Sequence, residues 1–358
     1  MNVLVVEPYV YDTAPGQRFR IEQWARILEK QGVAFTFVPF ETPRLHAVMY
    51  HPGFVARKMV EVLRGLAGRF RLLRDLSRFH AVFLFREAAP VGPPVVERLM
   101  ASRRVPIVYD FDDAIYLPNA SGANQLFARL KSVRKVGTIC ALSQHVTVGN
   151  RYLERFAEHH ARKVSVIPTT IDVERYLPRG AHRRDSPVVI GWMGSETTLP
   201  HLMMIREPLR TLAARRRFVL HVVSTRDVSI DGVEVWSTRW SAAHEVRDLQ
   251  SFDIGVMPLP DDAWTRGKCG AKLLLYMGVG VPGVASPVGV NADIVDDGVN
   301  GFLAKTDAEW VDKLSALIDS PALQASMGAA ARRTVEARFS AQVVAPKVLD
   351  IFRRCGET

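Results

Sequence analysis

The chain has few cysteines and no long hydrophobic run. Its three cysteines, Cys140, Cys269 and Cys355, are widely spaced among 358 residues, which excludes a disulfide framework and a CxxC zinc pattern. No apolar run reaches about 18 residues, the length that a membrane-spanning helix needs. The opening segment MNVLVVEPYV lacks the basic residues and long apolar core of a signal peptide. These absences predict a cytoplasmic chain without a membrane span.

Acidic residues are in the minority. The chain has 47 Lys and Arg against 37 Asp and Glu, a formal net charge of +10. This excess favours anionic partners such as nucleotide diphosphates, acidic lipid head groups or nucleic acids. No recognisable RNA- or DNA-binding motif and no basic tract interleaved with aromatics accompanies it. We therefore expect no nucleic-acid partner.

Short apolar segments alternate with longer amphipathic ones along the chain. This alternation predicts parallel strands joined by helical crossovers, and so an α/β fold. A polar segment with three prolines, IPTTIDVERYLPRGAHRRDSP, interrupts the alternation, which restarts after it. The sequence therefore predicts a Rossmann-like domain over 1–172, a linker over 173–187, a second Rossmann-like domain over 188–339, and a C-terminal helix over 340–358 that returns to the first domain.

Individual elements follow from the hydrophobic period. One helix is predicted over 18–30, because Ile21, Trp24, Ala25 and Leu28 recur at helical spacing. Closing helices are predicted over 307–319, 321–338 and 341–354. The predicted strands are 2–7, 33–38, 81–85, 106–110, 145–148 and 163–167 in the first domain, and 188–192, 218–223, 233–236, 254–257 and 282–285 in the second.

The loop GKCGAK, which precedes a short apolar helix, is the strongest candidate for a phosphate site. A diphosphate needs backbone N–H groups at a helix start together with fixed cations. The alternative is that two lysines four residues apart only solvate one helix face. We favour phosphate binding because glycines flank the first lysine. The loop consists of Gly267, Lys268, Cys269, Gly270, Ala271 and Lys272.

Two further strand-to-helix turns could approach the same ligand. Gly16 and Arg18 lie in the first, and Arg18 is nearer the loop than Arg20 and so better placed to contact a phosphate. Gly194 and Ser195 lie in the second, where Thr197 is expected only as a helix N-cap. Arg266, just before the basic loop, is a further candidate cation.

Residues 53–79 are basic and amphipathic, with seven Arg or Lys and two acidic residues. This composition fits docking on an anionic membrane surface. A core-facing helix with a solvated basic back is the alternative. Charge reversal would distinguish membrane docking from the core-facing alternative. The residues to reverse are Arg64, Arg69, Arg71 and Arg74.

Over nearly its whole length, the chain resembles the retaining glycosyltransferases of family 4, which have the GT-B fold. The matching segments are RFRIEQWARILEKQG, VYDFDDAIYLP, VIPTTIDVERYLP, VIGWMGSETTLPHL, FDIGVMPLP and GKCGAKLLLYMGVGVPGVASPVGVNADIVDDGVNGFLAK. The resemblance implies two Rossmann-like domains facing across a cleft. It also implies a nucleotide-diphosphate sugar as donor substrate, with no metal and no other cofactor.

The resemblance also places an acceptor in the first domain. Asp110, Asp112 and Asp113 end a predicted strand, and three carboxylates within four residues need solvent, a cation or hydroxyls around them. Arg86 and Glu87 end another strand and join them as candidate acceptor-binding residues. The alternatives are a solvated capping turn and, for Arg86 and Glu87, side chains that point into water.

Two features depart from the family pattern. The family has a glutamate, seven intervening residues and a second glutamate, where this chain has Gly267 and Leu275. The family's Arg and Lys near the start of the second domain are also replaced, by Ser195, Glu196 and Thr197. Donor recognition then depends on Lys268 to Ala271 and other side chains, or activity has been lost.

The predicted function is retaining transfer of a sugar to the hydroxyl of a glycan, lipid-linked or small-molecule acceptor. Lys268, Lys272 and Arg18 are expected to stabilise the departing diphosphate. Lys268, Lys272 and Asp112 are the candidate catalytic residues. The resemblance suggests a role in bacterial cell-surface polysaccharide, lipopolysaccharide or glycoconjugate synthesis, on the inner face of the plasma membrane. A noncatalytic binding relative and a nucleotide-sugar epimerase of the same fold are the alternatives.

Overall fold

A computed structural model describes residues 1–49, 51, 53–117, 134–180 and 186–356. The chain divides into two compact units, Met1–Thr169 with Val344–Thr358, and Thr170–Val343. Each unit contains a six-stranded sheet whose neighbouring strands all run parallel. The predicted α/β class is confirmed. Residues 181–185 of the predicted linker lie outside the described residues.

The sheet of unit 1 has the order β2-β1-β3-β4-β5-β6. Its central strands are buried along their lengths, as expected for a parallel sheet covered by helices on both faces. Chain order reverses between β1 and β3, which makes their carboxyl ends the switch point of this sheet. The strands are β1 (Asn2–Glu7), β2 (Ala34–Pro39), β3 (Ala81–Phe85), β4 (Ile107–Phe111), β5 (His145–Val148) and β6 (Val164–Val166).

The sheet of unit 2 has the order β12-β11-β10-β7-β8-β9, and its switch point lies between β7 and β10. The strand predicted at 233–236 lies instead at Val235–Arg239, and it is a largely exposed edge strand. Strand β12 was not predicted, because its three residues are too few to show a period. The strands are β7 (Val188–Met193), β8 (Phe218–Ser224), β9 (Val235–Arg239), β10 (Ile254–Met257), β11 (Gly283–Ala285) and β12 (Gly301–Leu303).

Helices connect these strands. None of those within the described residues has both the length and the apolar character that crossing a membrane would require. In unit 1 they are Pro15–Gln17, Arg18–Glu22, Gln23–Glu29, Pro43–Met49, Val55–Leu72, Leu76–Arg78, Val95–Ala101, Lys135–Leu142 and Arg151–Glu158. In unit 2 they are Glu196–Thr198, Leu199–Met203, Arg206–Ala213, Glu245–Gln250, Ala263–Arg266, Ala271–Gly278, Asn291–Ile294, Asp307–Asp319, Pro321–Thr334 and Val335–Phe339. The C-terminal helix, Ala341–Gly356, belongs to unit 1 from Val344 onward.

The prediction of one continuous helix over 18–30 is wrong. The segment Arg18–Glu22 forms a wide π-helical turn, and Arg20 has non-helical φ and ψ of −129° and −110°. The distortion turns the Arg20 side chain into the core, where it is fully buried against Asp110. A regular helix begins again only at Gln23.

The C-terminal helix packs on the first unit. Phe352 lies 6.0 Å from Phe83 and 6.3 Å from Phe35, measured between ring centroids. Phe83 belongs to β3 and Phe35 to β2, so this ring covers one face of the sheet. The predicted return of the C-terminal helix to the first domain is confirmed.

Candidate functional site

In unit 2 the switch point brings two loops together. One loop follows β7 and contains Gly194 and Ser195, and the other follows β10 and contains the basic segment at 267–272. The hydroxyl of Tyr276 fixes their relative position, because it accepts a hydrogen bond from the backbone N–H of Met193 at 3.1 Å. The carboxyl ends of β7 and β10 therefore form one crevice with the loop–helix segment at its side.

The helix Ala271–Gly278 begins at Gly270, which has a left-handed backbone with φ 70° and ψ 14°. Any side chain at this position would be strained by that φ and would collide with Ile294. The requirement for glycine thus comes from the turn that aims the first N–H groups of the helix outward. Such a helix start attracts anions.

The two lysines of this segment lie over indole rings. Lys268 Nζ is 5.7 Å from the Trp264 ring centroid, and Lys272 Nζ is 5.1 Å from that of Trp192. Cation–π attraction restricts where each ammonium can lie. Because Trp192 belongs to β7, the second contact holds Lys272 beside the end of that strand.

The loop after β7 forms the other wall of the crevice. A methyl group at Gly194 would lie 2.5 Å from the Trp192 ring and 2.7 Å from Thr198 Oγ1, so the backbone here tolerates only glycine. The Ser195 and Thr197 hydroxyls are 2.8 Å apart. The expectation that Thr197 is an N-cap is wrong, since Ser195 precedes the first turn and Thr198 precedes the helix Leu199–Met203.

The remaining donor-site candidates differ in what they offer a ligand. Arg266 is exposed, and its Nε is 2.6 Å from Asp261 Oδ1, which offsets part of its charge. Cys269 is buried, with its Sγ 3.7 Å from the Gly267 carbonyl oxygen. Leu275 is only 5% exposed and belongs to the hydrophobic core. The structure therefore brings Arg266 to the surface, but the side chains of Cys269 and Leu275 into the interior.

Sequence reasoning missed His201, which lies on the same wall as Gly194 and Ser195. Burial is the main cause that lowers the pKa of His201 to about 4; Lys272 and Lys268 act in the same direction, and Asp262 opposes them. The helix that carries His201 follows the loop after β7, and Lys272 lies over the ring of Trp192 near the end of that strand. The available signal was its position, seven residues after Gly194 in a segment otherwise without basic residues.

In unit 1 the switch point gathers four of the predicted residues. Arg86 donates to Asp112 Oδ1 from Nε at 3.0 Å and from Nη2 at 2.7 Å, and Nη2 also donates to Asp113 Oδ2 at 2.7 Å. A methyl group at Gly16 would lie 2.5 Å from Asp112 Oδ2 and 3.1 Å from Arg86 Nη2. Gly16, Arg86, Asp112 and Asp113 therefore form one polar cluster, called the Arg86 cluster below.

Arg86, at the centre of this cluster, has an unfavourable backbone conformation. Its φ is 58°, in the left-handed region that residues with a side chain rarely adopt. Such strain persists only where surrounding contacts enforce it, and it is concentrated at functional sites. Tyr9, which sequence reasoning missed, also contacts Arg86; burial raises the pKa of its hydroxyl and Arg86 opposes that rise.

Three other predicted residues have internal partners. Arg18 is 3% exposed, and its Nε lies 2.9 Å from Asp12 Oδ1. Asp110 is fully buried and accepts hydrogen bonds from Arg20 and Thr147. Glu87 is buried, with an oxygen 3.8 Å from Lys135 Nζ. Burial and ion pairing oppose the expected roles of Arg18 in phosphate binding and of Asp110 and Glu87 in acceptor binding.

Over the described ranges, no group of three or more His, Cys, Asp or Glu side chains could hold a metal ion. The three aspartates that end β4 divide instead between Arg20 and Arg86. Their mutual repulsion is thus balanced by arginines.

Comparisons with known proteins agree with this architecture. Residues 191–320 match the family described as Glycosyl transferases group 1. None of the curated proteins searched matches the chain. Among solved structures, the sucrose-phosphate synthase of Thermosynechococcus elongatus is 14% identical with a TM-score of 0.70, covering 99% of this chain and 98% of its own.

Two further structures are similar over all or nearly all of the chain. The catalytic domain of starch synthase IV from Arabidopsis thaliana, bound to ADP and acarbose, is 13% identical with a TM-score of 0.72 and covers 100% of both chains. HepE from Anabaena, in complex with UDP and glucose, is 13% identical with a TM-score of 0.64 and covers 99% of this chain and 100% of its own. At these identities the likeness concerns the fold, and this chain has the GT-B fold.

Proposed function

We propose that the protein is a retaining family 4 glycosyltransferase that moves a sugar from a nucleotide-diphosphate donor to an acceptor hydroxyl. The observation that carries the proposal is the pair Lys268 and Lys272, each held over an indole ring at the start of the helix Ala271–Gly278. Both lie within the segment that matches the glycosyltransferase family. Two cations and a helix N-terminus together suit a diphosphate.

The proposed mechanism of sugar transfer depends on stabilising the negative charge of the leaving group. As the glycosidic bond breaks, the leaving nucleotide diphosphate gains negative charge, which Lys268 and Lys272 stabilise. The leaving phosphate takes the proton of the acceptor hydroxyl as that hydroxyl attacks from the same face of the sugar, so the anomeric configuration is retained. No metal is required for this step.

The Arg86 cluster is the proposed acceptor site. Asp112 and Asp113 present carboxylate oxygens that can accept hydrogen bonds from sugar hydroxyls, and Arg86 forms an ion pair with each of them. Asp112 is the member closest to Gly16, whose lack of a side chain lets the Asp112 carboxylate and the Arg86 guanidinium approach the backbone there. Arg18, Asp110 and Glu87 support this region from behind through their own ion pairs.

A panel of nucleotide sugars tests the donor assignment. A ligand that binds only the native state raises the melting temperature, so thermal shifts with UDP-, ADP-, GDP- and dTDP-sugars identify the base and sugar. Transfer is then measured with saccharide and lipid-linked acceptors, and the anomeric configuration of the product is read by NMR. The proposal is wrong if no nucleotide sugar binds, and its mechanism is wrong if the product is inverted.

A noncatalytic sugar-nucleotide-binding protein is the second candidate. It is favoured by Gly267 and Leu275, which place neither of the family's carboxylates beside the donor, and Leu275 is buried. Binding without turnover across the acceptor panel would support it. Conversion of the donor in the absence of acceptor would instead indicate an epimerase.

An anionic membrane surface is the proposed partner of unit 1. The helix Val55–Leu72 exposes Val55, Met59, Leu63 and Phe70 on one face. Arg57, Arg64 and Arg71, which are also exposed, recur every seven residues beside that face. Parallel apolar and basic stripes are the pattern of helices that lie in a lipid interface.

One part of the earlier expectation about this helix is wrong. Arg69 is 1% exposed and donates to the carbonyl oxygens of Ala88, Val38 and Glu7, so it anchors the helix to the sheet. Arg64, Arg71 and Arg74 remain exposed. Charge reversal at Arg69 would test folding rather than membrane binding.

Vesicle sedimentation tests the membrane proposal. Wild type is expected to bind phosphatidylglycerol-containing vesicles and not phosphatidylcholine vesicles, because each exposed arginine near an anionic surface contributes about 1 kcal/mol. A variant with Leu63→Ser and Phe70→Ser, and one with Arg57→Glu and Arg71→Glu, should both lose binding. Binding unaffected by lipid charge and by both variants would exclude the surface. If the protein binds these vesicles and also transfers sugar to a lipid-linked acceptor, both results would support the proposed cytoplasmic role in cell-surface glycan synthesis.

A further inference from the structure

The crevice of unit 2 has an uneven distribution of charge. Its loop after β10 supplies Lys268 and Lys272, whereas the loop after β7 supplies Ser195, Glu196 and Thr197. From Gly194 to Met204, His201 is the sole basic side chain. A diphosphate in this crevice would have two cations on one flank, and neutral hydroxyls with a carboxylate on the other.

His201 is half-buried and follows the loop after β7 along the chain. It lies in the helix Leu199–Met203, and the charges that act on it are Lys272 and Lys268 from one loop and Asp262 from the same loop's preceding turn. Asp262 is itself occupied as an N-cap, accepting from the Thr265 backbone N–H at 2.8 Å. The cations therefore dominate around the imidazole.

The two ring nitrogens of His201 differ in their surroundings. Nδ1 is fully buried and has no hydrogen-bond partner in the part of the chain that the structure describes. Nε2 is not buried in this way. An N–H group at Nδ1 would lose its hydrogen bond to water without replacement, so the proton resides on Nε2.

The same surroundings keep the ring neutral. Burial lowers the pKa of His201 to about 4, with Lys272 and Lys268 acting in the same direction. With the pKa lowered in this way, the charged form is a minor species above about pH 5. A neutral imidazole adds a donor without adding repulsion against the two neighbouring ammonium groups.

We propose that His201 is a ligand of the donor diphosphate, to which it donates a hydrogen bond from Nε2 as a neutral imidazole. It takes the place, on the loop after β7, of the basic residues that the resembling family has there. This inference rests on the proposed function and goes beyond it by naming a binding residue and its protonation state. A lysine or arginine at this position would crowd a third positive charge against Lys268 and Lys272.

Nucleotide titrations test the proposal. Binding of UDP and ADP is measured by calorimetry for wild type, His201→Ala, His201→Gln and, as a matched control, His244→Ala, whose imidazole is exposed at the start of another helix. Because a hydrogen bond to a charged group contributes about 1.5–3 kcal/mol, His201→Ala should weaken binding by about tenfold to 100-fold. His201→Gln keeps an N–H donor and should lose much less, and His244→Ala should bind as wild type does.

The pH dependence separates a neutral donor from a charged one. The affinity ratio between wild type and His201→Gln should stay constant from about pH 5.5 to about pH 8, since titration of the nucleotide itself cancels in the ratio. A ratio that rises toward acid would show an imidazolium ligand and overturn the proposal. So would wild-type affinity in His201→Ala.

Failure of this inference is distinguishable from failure of the proposed function. If Lys268→Ala and Lys272→Ala abolish nucleotide binding while His201→Ala does not, only the role of His201 is wrong. If wild type binds neither UDP nor ADP nor any nucleotide sugar, the proposed function fails and this inference fails with it. Circular dichroism of each variant verifies that the fold is intact.

Discussion

Arg20 and Asp110 form an ion pair in which both side chains are fully buried. Arg20 Nε lies 2.6 Å from Asp110 Oδ2, and Nη2 lies 2.5 Å from Oδ1. The remaining guanidinium nitrogen donates to the Ile167 carbonyl oxygen at 2.6 Å. The pair ties the distorted turn after β1 to the end of β4, and so fixes two of the segments that carry the Arg86 cluster.

Removing one partner of this pair should destabilise the protein. Arg20→Met leaves the Asp110 carboxylate buried without its counter-charge, which is expected to cost about 3–5 kcal/mol. Combining it with Asp110→Asn removes that charge and should restore much of the loss. Urea unfolding of the two single variants and the double variant gives the coupling energy, and purely additive effects would argue against a structural pair.

The lysines of the donor loop should matter for binding and turnover. Lys268→Ala and Lys272→Ala are each expected to reduce sugar transfer by about 100-fold, because each removes a cation from the leaving diphosphate. Lys347→Ala, an exposed lysine of the C-terminal helix, is the matched control. Steady-state kinetics and nucleotide calorimetry measure the effects, and wild-type turnover in both variants would exclude the phosphate assignment.

Asp112 should affect acceptor use without affecting the donor. Asp112→Asn weakens the pairing with Arg86 and removes a charged acceptor for sugar hydroxyls. We expect transfer to fall by about tenfold or more, at unchanged affinity for UDP or ADP. Asp350→Asn, whose partner Arg354 is exposed, serves as control. A loss of nucleotide affinity in Asp112→Asn would contradict a separate acceptor role.

Glu7 should make stability depend on pH. Both of its carboxylate oxygens are buried without a partner among the described residues, and burial and Glu22 raise its pKa to about 8 despite Arg69. The folded protein therefore keeps a proton that the unfolded chain releases above pH 4.5, and stability falls as pH rises through this window to about 8.

Glu7→Gln removes that dependence. The free energy of unfolding of the Glu7→Gln variant, relative to that of wild type, should increase by up to about 1.4 kcal/mol for each pH unit from about pH 5 to about pH 8. Above that range the difference should level off. Glu22, whose pKa burial also raises, remains and leaves a smaller slope. Free energies of unfolding measured across this range give the comparison, and parallel curves would show that Glu7 does not titrate there.

Much of the fold could be predicted from local pattern. Buried parallel strands are continuous apolar segments, and amphipathic helices have a regular hydrophobic period. The alternation of strands and helices is therefore evident in the sequence. The basic loop was also visible, because glycines before an apolar helix are a local signal. The short strand Gly301–Leu303 and the break at Arg20 were not, since the first is too short and the second depends on Asp110, ninety positions away.

Roles that depend on distant partners were harder to predict. Arg18, Arg20, Arg69 and Arg86 are alike as residues in a basic chain. The first three are buried against structural partners, and only Arg86 shares a cluster with Asp112 and Asp113. Which aspartate faces which arginine is decided by strand order. That order is set by contacts far apart in sequence.

The sequence by itself determined the α/β alternation, the positive charge and the glycine-flanked lysines of the loop GKCGAK, because each depends on residue type and short spacing. Tertiary structure alone decided that Lys272 lies over Trp192, that His201 joins Lys268 and Lys272, and that Asp110 is buried while Asp112 contacts Arg86. The physical reason is that burial and electrostatic surroundings arise only when the strand ends of a folded sheet meet.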